Sequence, residues 1–348
     1  MKRVGVCGHF GEGLNLLNGQ TIKTKIVTNE IKRQIGETNV AIVDTHGGIK
    51  RLGVICVEMF RLFQECKNII IAPAHNGLKV FVPMCVIYNM IFRRKIHYLV
   101  IGGWIDSYIE SHKVIKRMLH DFTSICVETT TMKKALELKG YSNIVIMPNC
   151  KKLEIIEESK VQEQYSEPYH LCTFSRVMKE KGIEDIICAV EQINEEAGRT
   201  IYTLDIYGEI WGTYVEEFAE LQKRFPSYIK YKGKVDFDKS VSVLCQYFLL
   251  VFPTKFFTEG IPGTIIDAYA AGLPVLASKW ESYHDVIDDD VTGIGYEFGN
   301  TEELEKLLIE IMKKPNLVIE KKKKCLKKAR EYMPDQVVGS FIEKNLEE

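Results

Sequence analysis

Short β-branched runs alternate with longer amphipathic stretches along the whole chain, and that alternation leaves few folds open. In the first half it predicts strands at Val4–Gly8, Val40–Asp44, Ile69–Pro73, Tyr98–Gly102, Ile125–Glu128 and Ile144–Pro148. Helical patterns such as Thr21–Ile35, Leu52–Cys66 and Met132–Lys139 separate them. Strands apolar on both faces and joined by helices build a parallel sheet covered on both sides. From Lys151 to Pro168 the apolar density falls, which reads as an interdomain connection. The alternation then restarts at His170–Phe174, Leu204–Tyr207, Ile229–Tyr231, Phe248–Phe252, Val275–Ala277 and Ile294–Tyr296. The 348 residues are enough for two cores. The expected fold class is α/β, with two tandem doubly wound Rossmann-like domains and a cleft where carboxyl ends of strands meet. The expected boundaries are 1–150, a linker over 151–168, a second domain over 169–333 and a C-terminal helix over 334–348 that packs back on the first domain.

Within the second domain the richest stretch runs from Thr258 to Gly272. Glu259 and Asp267 stand eight residues apart, joined by a Gly/Pro turn that opens onto an apolar helical run. Pro262 suits the first turn of a helix, where its missing N–H costs nothing. Backbone N–H groups, the positive end of the helix and Glu259 then converge on a point suited to an anion. Asp267 lies one to two turns further along and is expected to face the same cleft, at about 1.5 Å rise per residue. A diphosphate beside hydroxyls to be bound by carboxylates describes a sugar nucleotide. A capped helix after a buried strand is the plain alternative for a lone carboxylate.

Upstream, Phe174-Ser175-Arg176 ends a strand, and Lys181-Gly182 follows in the loop before a helix. A guanidinium and an ammonium at that edge can clamp a phosphate. In the first domain Gly8 to Gly13 only superficially resembles a dinucleotide fingerprint; the helix is expected to begin after Asn18-Gly19-Gln20-Thr21, where Gly19 would let backbone approach a phosphate. His75 follows a strand and is a functional candidate on that position alone. Asp288-Asp289-Asp290 precedes Val291-Thr292-Gly293 and reads as a turn, and no metal or other cofactor is expected.

Ten cysteines without a C-x-x-C pair point to a reducing cytosol and against zinc or a disulfide frame. Lys2-Arg3 leads into a strand pattern with no cleavage-site signature, so no signal peptide is expected. A net charge of −1 gives no field that favours nucleic acid. The run Val80–Phe92 is too short to span a bilayer and ends in Arg93-Arg94-Lys95; a buried crossover helix is favoured over one docking at a membrane surface. In the tail, Lys321 to Lys324 with Lys327 and Lys328 reads as a solvated basic helix face, with anionic lipid as the minority reading.

These residues together carry a resemblance. The second half resembles retaining glycosyltransferases of family 4, which share the GT-B fold. The resemblance runs through Ser175-Arg176, Lys181-Gly182, Ile206-Tyr207-Gly208, Tyr231 to Val235, the Glu259…Asp267 stretch, Ala271 to Ser278 and Thr292-Gly293. The first half is similar more faintly, through Asn18-Gly19-Gln20, His75 and Ile144 to Asn149. The resemblance implies that Glu259 contacts the hydroxyls of the donor sugar and that the amides of Gly260, Ile261, Gly263 and Thr264 around Pro262 meet the diphosphate and sugar. It implies Asp267 on the ribose, Gly19 and Val235 near the donor, and Arg176 and Lys181 on the leaving diphosphate. It places His75 near sugar and acceptor. The family usually has Glu where this chain has Asp267, and the segment Lys279 to His284 lacks its Gly-rich turn. The implied partners are a nucleotide-sugar donor and a glycan or lipid-linked acceptor of the polysaccharide type, in the cytoplasm with peripheral contact at the inner face of the cell membrane. A catalytically silent GT-B subunit that binds a partner transferase or glycan is the rival, opposed by intact Arg176, Lys181 and Glu259. A sugar-nucleotide epimerase on the same fold is a further alternative.

Overall fold

The computed structural model describes residues 1–11, 13–14 and 19–346 and divides into two compact units, Met1–Lys152 with Tyr332–Glu348, and Leu153–Glu331. The first unit holds β1 (Lys2–Gly8), β2 (Val40–Asp44), β3 (Cys66–Ala72), β4 (Lys95–Leu99), β5 (Ser124–Val127) and β6 (Ile144–Ile146). Its helices are α1 (Gly19–Ile35), α2 (Leu52–Glu65), α3 (His75–Phe92), α4 (Ile105–Ser111), α5 (Lys113–Leu119) and α6 (Thr130–Leu138). The second unit holds β7 (Tyr169–Phe174), β8 (Tyr202–Tyr207), β9 (Ile229–Gly233), β10 (Leu249–Phe252), β11 (Val275–Ser278) and β12 (Gly293–Tyr296). Between and after those strands come α7 (Ile183–Ala197), α8 (Val215–Gln222), α9 (Ser240–Leu244), α10 (Gly263–Ala270), α11 (Tyr283–Val286), α12 (Thr301–Lys313), α13 (Asn316–Ile319) and α14 (Lys322–Glu331). The last helix, α15 (Pro334–Asn345), packs on α1 in the first unit, where the Gln34 amide donates to the carbonyl of Asp335 at 3.4 Å.

Each unit is a six-stranded sheet, ordered β2-β1-β3-β4-β5-β6 and β12-β11-β10-β7-β8-β9, and every ladder is parallel. Helices cover both faces. One core of the first unit joins β3 and β4 to α2, α3 and α5 through Met59, Phe63, Ile71, Leu78 and Tyr98. The other joins β1 to α1 and α15 through Val6, Ile31, Val338 and Phe341. The inner strands pair on both sides in the ladders, which is why near-continuous apolar runs are stable there, while β2, β6, β9 and β12 form the sheet edges.

Several expectations need correction. β4 begins at Lys95, earlier than the Tyr98 start expected, because Lys95 and Ile96 pair with Asn68 and Ile69. Much of the polar segment 153–168 belongs to the second unit: the Ile156 N–H reaches the Ala270 carbonyl at 3.0 Å, and the Tyr165 ring packs on Phe248. The tail lysines are not a uniformly solvated face. Lys322 is 2% exposed, donates to the Tyr247 carbonyl at 3.0 Å and lies over the Tyr165 ring, and burial pulls its ammonium down to about 8. Lys321 is also buried, 3.7 Å from Asp290. The Asp288 to Asp290 turn is held instead by lysines and by the Tyr283 hydroxyl, which donates to Asp289 at 2.5 Å.

A buried histidine makes the first unit sensitive to acid. His97 on β4 touches the Ser124 hydroxyl at 2.8 Å and Asn68 at 3.4 Å, and burial lowers its imidazole to about 4. The unfolded chain therefore binds the extra proton first. Stability held above about pH 6.5 is lost as pH falls toward 4, by roughly 3 kcal/mol in all. Urea unfolding of a His97→Leu variant should show a pH dependence flatter by about that amount over this window. An unchanged slope would assign the acid sensitivity to other groups.

Candidate active site

In the second sheet the strand order reverses between β7 and β10, so the loops leaving their carboxyl ends diverge there. Open α/β sheets bind ligands at such points. Arg176 and Lys181 come from the loop after β7, and Glu259 and the start of α10 from the loop after β10. Two glycines let the backbones meet. Gly182 has φ 64°, and a Cβ there would stand 1.9 Å from the Pro253 carbonyl oxygen. Gly208 has φ 137°, and a Cβ there would stand 1.7 Å from the Ser175 carbonyl oxygen. The Lys255 N–H closes the junction on the Glu180 carbonyl at 2.8 Å.

The Lys181 ammonium is ion-paired with the Glu259 carboxylate, their side chains 10% and 18% exposed. Phe252 and Phe256 present their rings to the same ammonium at 5.3 and 5.1 Å. The Thr254 hydroxyl donates to Glu259 Oε1 at 3.3 Å, and its carbonyl accepts from Ser278 Oγ at 2.6 Å. Arg176 lies 4.9 Å above the Trp211 ring. That stack is fixed by the Val177 N–H on the Glu209 carbonyl and the Trp211 N–H on the Val177 carbonyl. Arg176 is thereby braced by an aromatic face with its charge still available.

α10 begins at Gly263, so Pro262 is the residue before the helix and not part of its first turn. Its ψ of 126° is extended, and its carbonyl takes the Ile265 N–H at 3.0 Å. Gly260, Ile261 and Pro262 are buried, whereas Gly263 and Thr264 are partly exposed at the helix start. The Thr264 Oγ1 is shielded and finds no hydrogen-bond partner among the described residues. Asp267 sits deeper than expected, 3% exposed, with Ser240 Oγ donating to its Oδ1 at 3.1 Å. Ser240 opens α9 at the end of the loop that carries half-buried Val235. Thr254, Ser240 and Trp211 were missed by sequence reasoning. Thr254 could have been found, since it lies two residues beyond a strand end at the reversal point.

In the first unit the corresponding reversal lies between β1 and β3. His75 is the first residue of α3, stacked on Trp104 with ring centroids 3.6 Å apart, and burial lowers its imidazole below the ordinary value. It borders a cavity of about 400 Å³ whose walls include Gln20, Leu52, Ile55, Pro73 and Val80. Gly19 opens α1, and a Cβ added there would meet nothing within 4 Å among the described residues. Glu12 and Asn18, part of the sequence argument, lie outside the described residues. Beside this edge, His9 Nδ1 meets Thr21 Oγ1 at 2.7 Å, and Asp44 accepts the N–H groups of Phe10 and His46.

The sequence profile of glycosyl transferases group 1 matches residues 154–332, just over half of the chain. An uncharacterized glycosyltransferase of Methanocaldococcus jannaschii is 25% identical over 216 residues, covering 59% of this chain and 53% of that protein. An uncharacterized 41.2 kDa protein of the cps region of Klebsiella pneumoniae is 25% identical over 210 residues, covering 60% and 54%. The matched part thus spans about half the length of these curated relatives. Among solved structures, Anabaena HepE in complex with UDP superposes with a TM-score of 0.75 at 14% identity, covering 99% of both chains. Sucrose-phosphate synthase of Thermosynechococcus elongatus gives 0.76 at 12% identity, covering 99% of this chain and 98% of that one. At such identities the likeness shows the fold, two Rossmann-like domains of the GT-B type.

Proposed function

We infer that this chain, which belongs to the glycosyl transferases group 1 family, moves a sugar from a nucleoside diphosphate sugar to a glycan or lipid-linked acceptor. The observation that carries the reading is the Lys181–Glu259 pair at the sheet's reversal point, with Arg176 and the start of α10 in the same domain. Without a donor, Glu259 neutralises Lys181. An arriving diphosphate supplies a better anion for the ammonium, and Glu259 is released to accept hydrogen bonds from the sugar hydroxyls. The bond from the anomeric carbon to the β-phosphate oxygen breaks with its electron pair on that oxygen. Arg176, Lys181 and the α10 amides meet the charge that develops there, which is electrostatic catalysis by groups already in place. The acceptor oxygen forms the new bond, and its proton passes to the departing phosphate.

Retention of configuration rests on the resemblance to family 4, and Glu259 is not assigned as a nucleophile. Asp267, with Ser240, marks the nucleoside end, where a ribose would be held. The His75 cavity is assigned to the acceptor. HepE has been solved with UDP and with UDP-glucose, which makes UDP-sugars the first donors to try. The cytoplasm is the proposed location. Among the described residues no helix is long and apolar enough to cross a membrane.

The test is incubation with UDP-, GDP- and ADP-sugars in excess EDTA, following release of the nucleoside diphosphate. Slow hydrolysis of one donor class, undiminished by EDTA, is expected because cationic side chains meet the leaving charge. Hydrolysis abolished by EDTA and restored by Mg²⁺ would overturn the metal-free account, and a donor returned with an inverted sugar carbon would make the protein an epimerase.

A further inference from the structure

The two cations of the site are held in opposite ways. Lys181 is enclosed by Glu259 and two phenylalanine rings, whereas Arg176 is exposed and, among the described residues, pairs with no carboxylate. The acid in the loop beside it, Glu209, is taken by Lys234 at 2.6 Å. An exposed arginine spreads over many rotamers, and holding one of them costs conformational entropy. The contact that narrows its choice is the Trp211 ring, whose centroid lies 4.9 Å from the guanidinium carbon. That ring is 46% exposed, so it does not fill a core. Its backbone is nevertheless pinned from both sides. The Trp211 N–H donates to the Val177 carbonyl at 2.9 Å, and the Trp211 carbonyl accepts from the Tyr214 N–H at 2.8 Å. Tyr214 is buried and donates its hydroxyl to Glu184 at 2.6 Å. A bridge between Val177 and Ile210 carries the pairing of β7 with β8 past the strand ends. Gly208, at the start of the same loop, donates to the Gly233 carbonyl at 2.9 Å and accepts from the Tyr231 hydroxyl at 2.7 Å. A half-exposed indole on so fixed a backbone presents its face to Arg176 at a set place.

We propose that Trp211 is a positioning residue, whose indole face holds the Arg176 guanidinium in the pose that meets the leaving diphosphate. This deepens the function inferred above and rests on it. The ring touches no reacting atom. It raises the fraction of molecules whose arginine is already aimed when the bond to the β-phosphate oxygen breaks, and charge aimed in advance needs no reorganisation at that moment. The arginine answers charge that develops only during reaction, so losing its aim lowers kcat and leaves donor KM nearly alone. The contact itself sets the size of the effect: an exposed cation–π pair shifts a population by about threefold to fivefold. That is less than the cost of removing Arg176, because the charge is still present and only its pose is lost.

The test is donor kinetics and thermal unfolding of the full chain for Trp211→Ala, Trp211→Leu and Trp211→Phe, each made alone and in the Arg176→Ala background. The substrate is whichever of the UDP-, GDP- and ADP-sugars the wild-type protein hydrolyses. Trp211→Ala and Trp211→Leu should each lower kcat about threefold to fivefold, with donor KM and melting temperature unchanged. Trp211→Phe keeps an aromatic face and should recover most of the loss. In the Arg176→Ala background the same three substitutions should change nothing further, since no guanidinium remains to be held. Additive losses in that background would show the ring acting on substrate itself and would overturn the proposal. So would Trp211→Leu matching Trp211→Phe, a loss that tracks a lowered melting temperature, or a rise in KM at constant kcat. Should Trp211→Ala fail to fold, Trp211→Leu carries the same expectations. A wild-type protein that turns over donor, with all three variants equal to it, would overturn this proposal alone. A wild-type protein inert toward every donor would overturn the transferase reading and this proposal with it.

Discussion

Lys181→Ala is expected to lower turnover about a hundredfold, the consequence of removing one donor worth on the order of 3 kcal/mol from the departing diphosphate. Arg176→Ala should cost a similar factor. Their structural consequences differ. Arg176 rests on the outer Trp211 ring, so its loss leaves the surroundings intact. Lys181 is the ion-pair partner of Glu259 between two phenylalanine rings, so its removal strands a carboxylate that is 18% exposed. Lys181→Ala should therefore also lower the melting temperature, and Arg176→Ala should not. Donor kinetics and thermal unfolding on both soluble variants check this. Near-normal turnover by either would remove that residue from the site.

The two carboxylates should fail in different ways. Glu259→Gln removes the contact that positions the transferring sugar, so kcat should fall by roughly tenfold to a hundredfold. It also removes the internal competitor for Lys181. The nucleoside diphosphate product should then bind more tightly than to the wild-type protein, an unusual pairing of weaker catalysis with stronger product binding. Asp267→Asn should act mainly on donor KM, because a ribose contact changes little between ground and transition states. Asp267→Glu, the commoner family residue, should be tolerated only if Ser240 can shift, since Asp267 is almost fully buried against it. A fall in kcat at constant KM for Asp267→Asn, with Glu259→Gln spared, would reverse the two assignments.

The twelve strands of the described residues are legible in the sequence, most because a strand buried on both faces must be apolar at nearly every position, and edge strand β9 through the alternation of Ile229 and Tyr231 with lysines. Strand ends are less legible. The early start of β4 depends on Lys95 pairing with Asn68, a partner far away in sequence. The same limit hid the burial of Lys322, whose local pattern is a run of four lysines and whose fate is set by Tyr165 and Tyr247. In the candidate site, Glu259, Arg176 and Lys181 could be named from their places after strand patterns. The contact of Lys181 with Glu259 could not, because it comes from the order β10-β7 in the sheet. The depth of Asp267 was hidden for a related reason: helical spacing gives its face, and only α9 packed beside it decides what that face meets. Likewise α3 is apolar enough to read as a buried crossover, and the exposure of Ile87, Met90 and Ile91 becomes visible only when α2 is set beside it.

The central claim is that a nucleoside diphosphate binds where Lys181 and Glu259 now pair. Calorimetric titration of UDP, GDP and ADP into the wild-type protein, Lys181→Ala and Glu259→Gln tests it most directly. One nucleotide should bind the wild-type protein, at least tenfold more weakly to Lys181→Ala and more tightly to Glu259→Gln. Binding of equal strength to all three proteins, or no binding of any nucleotide to the wild-type protein, would contradict the account.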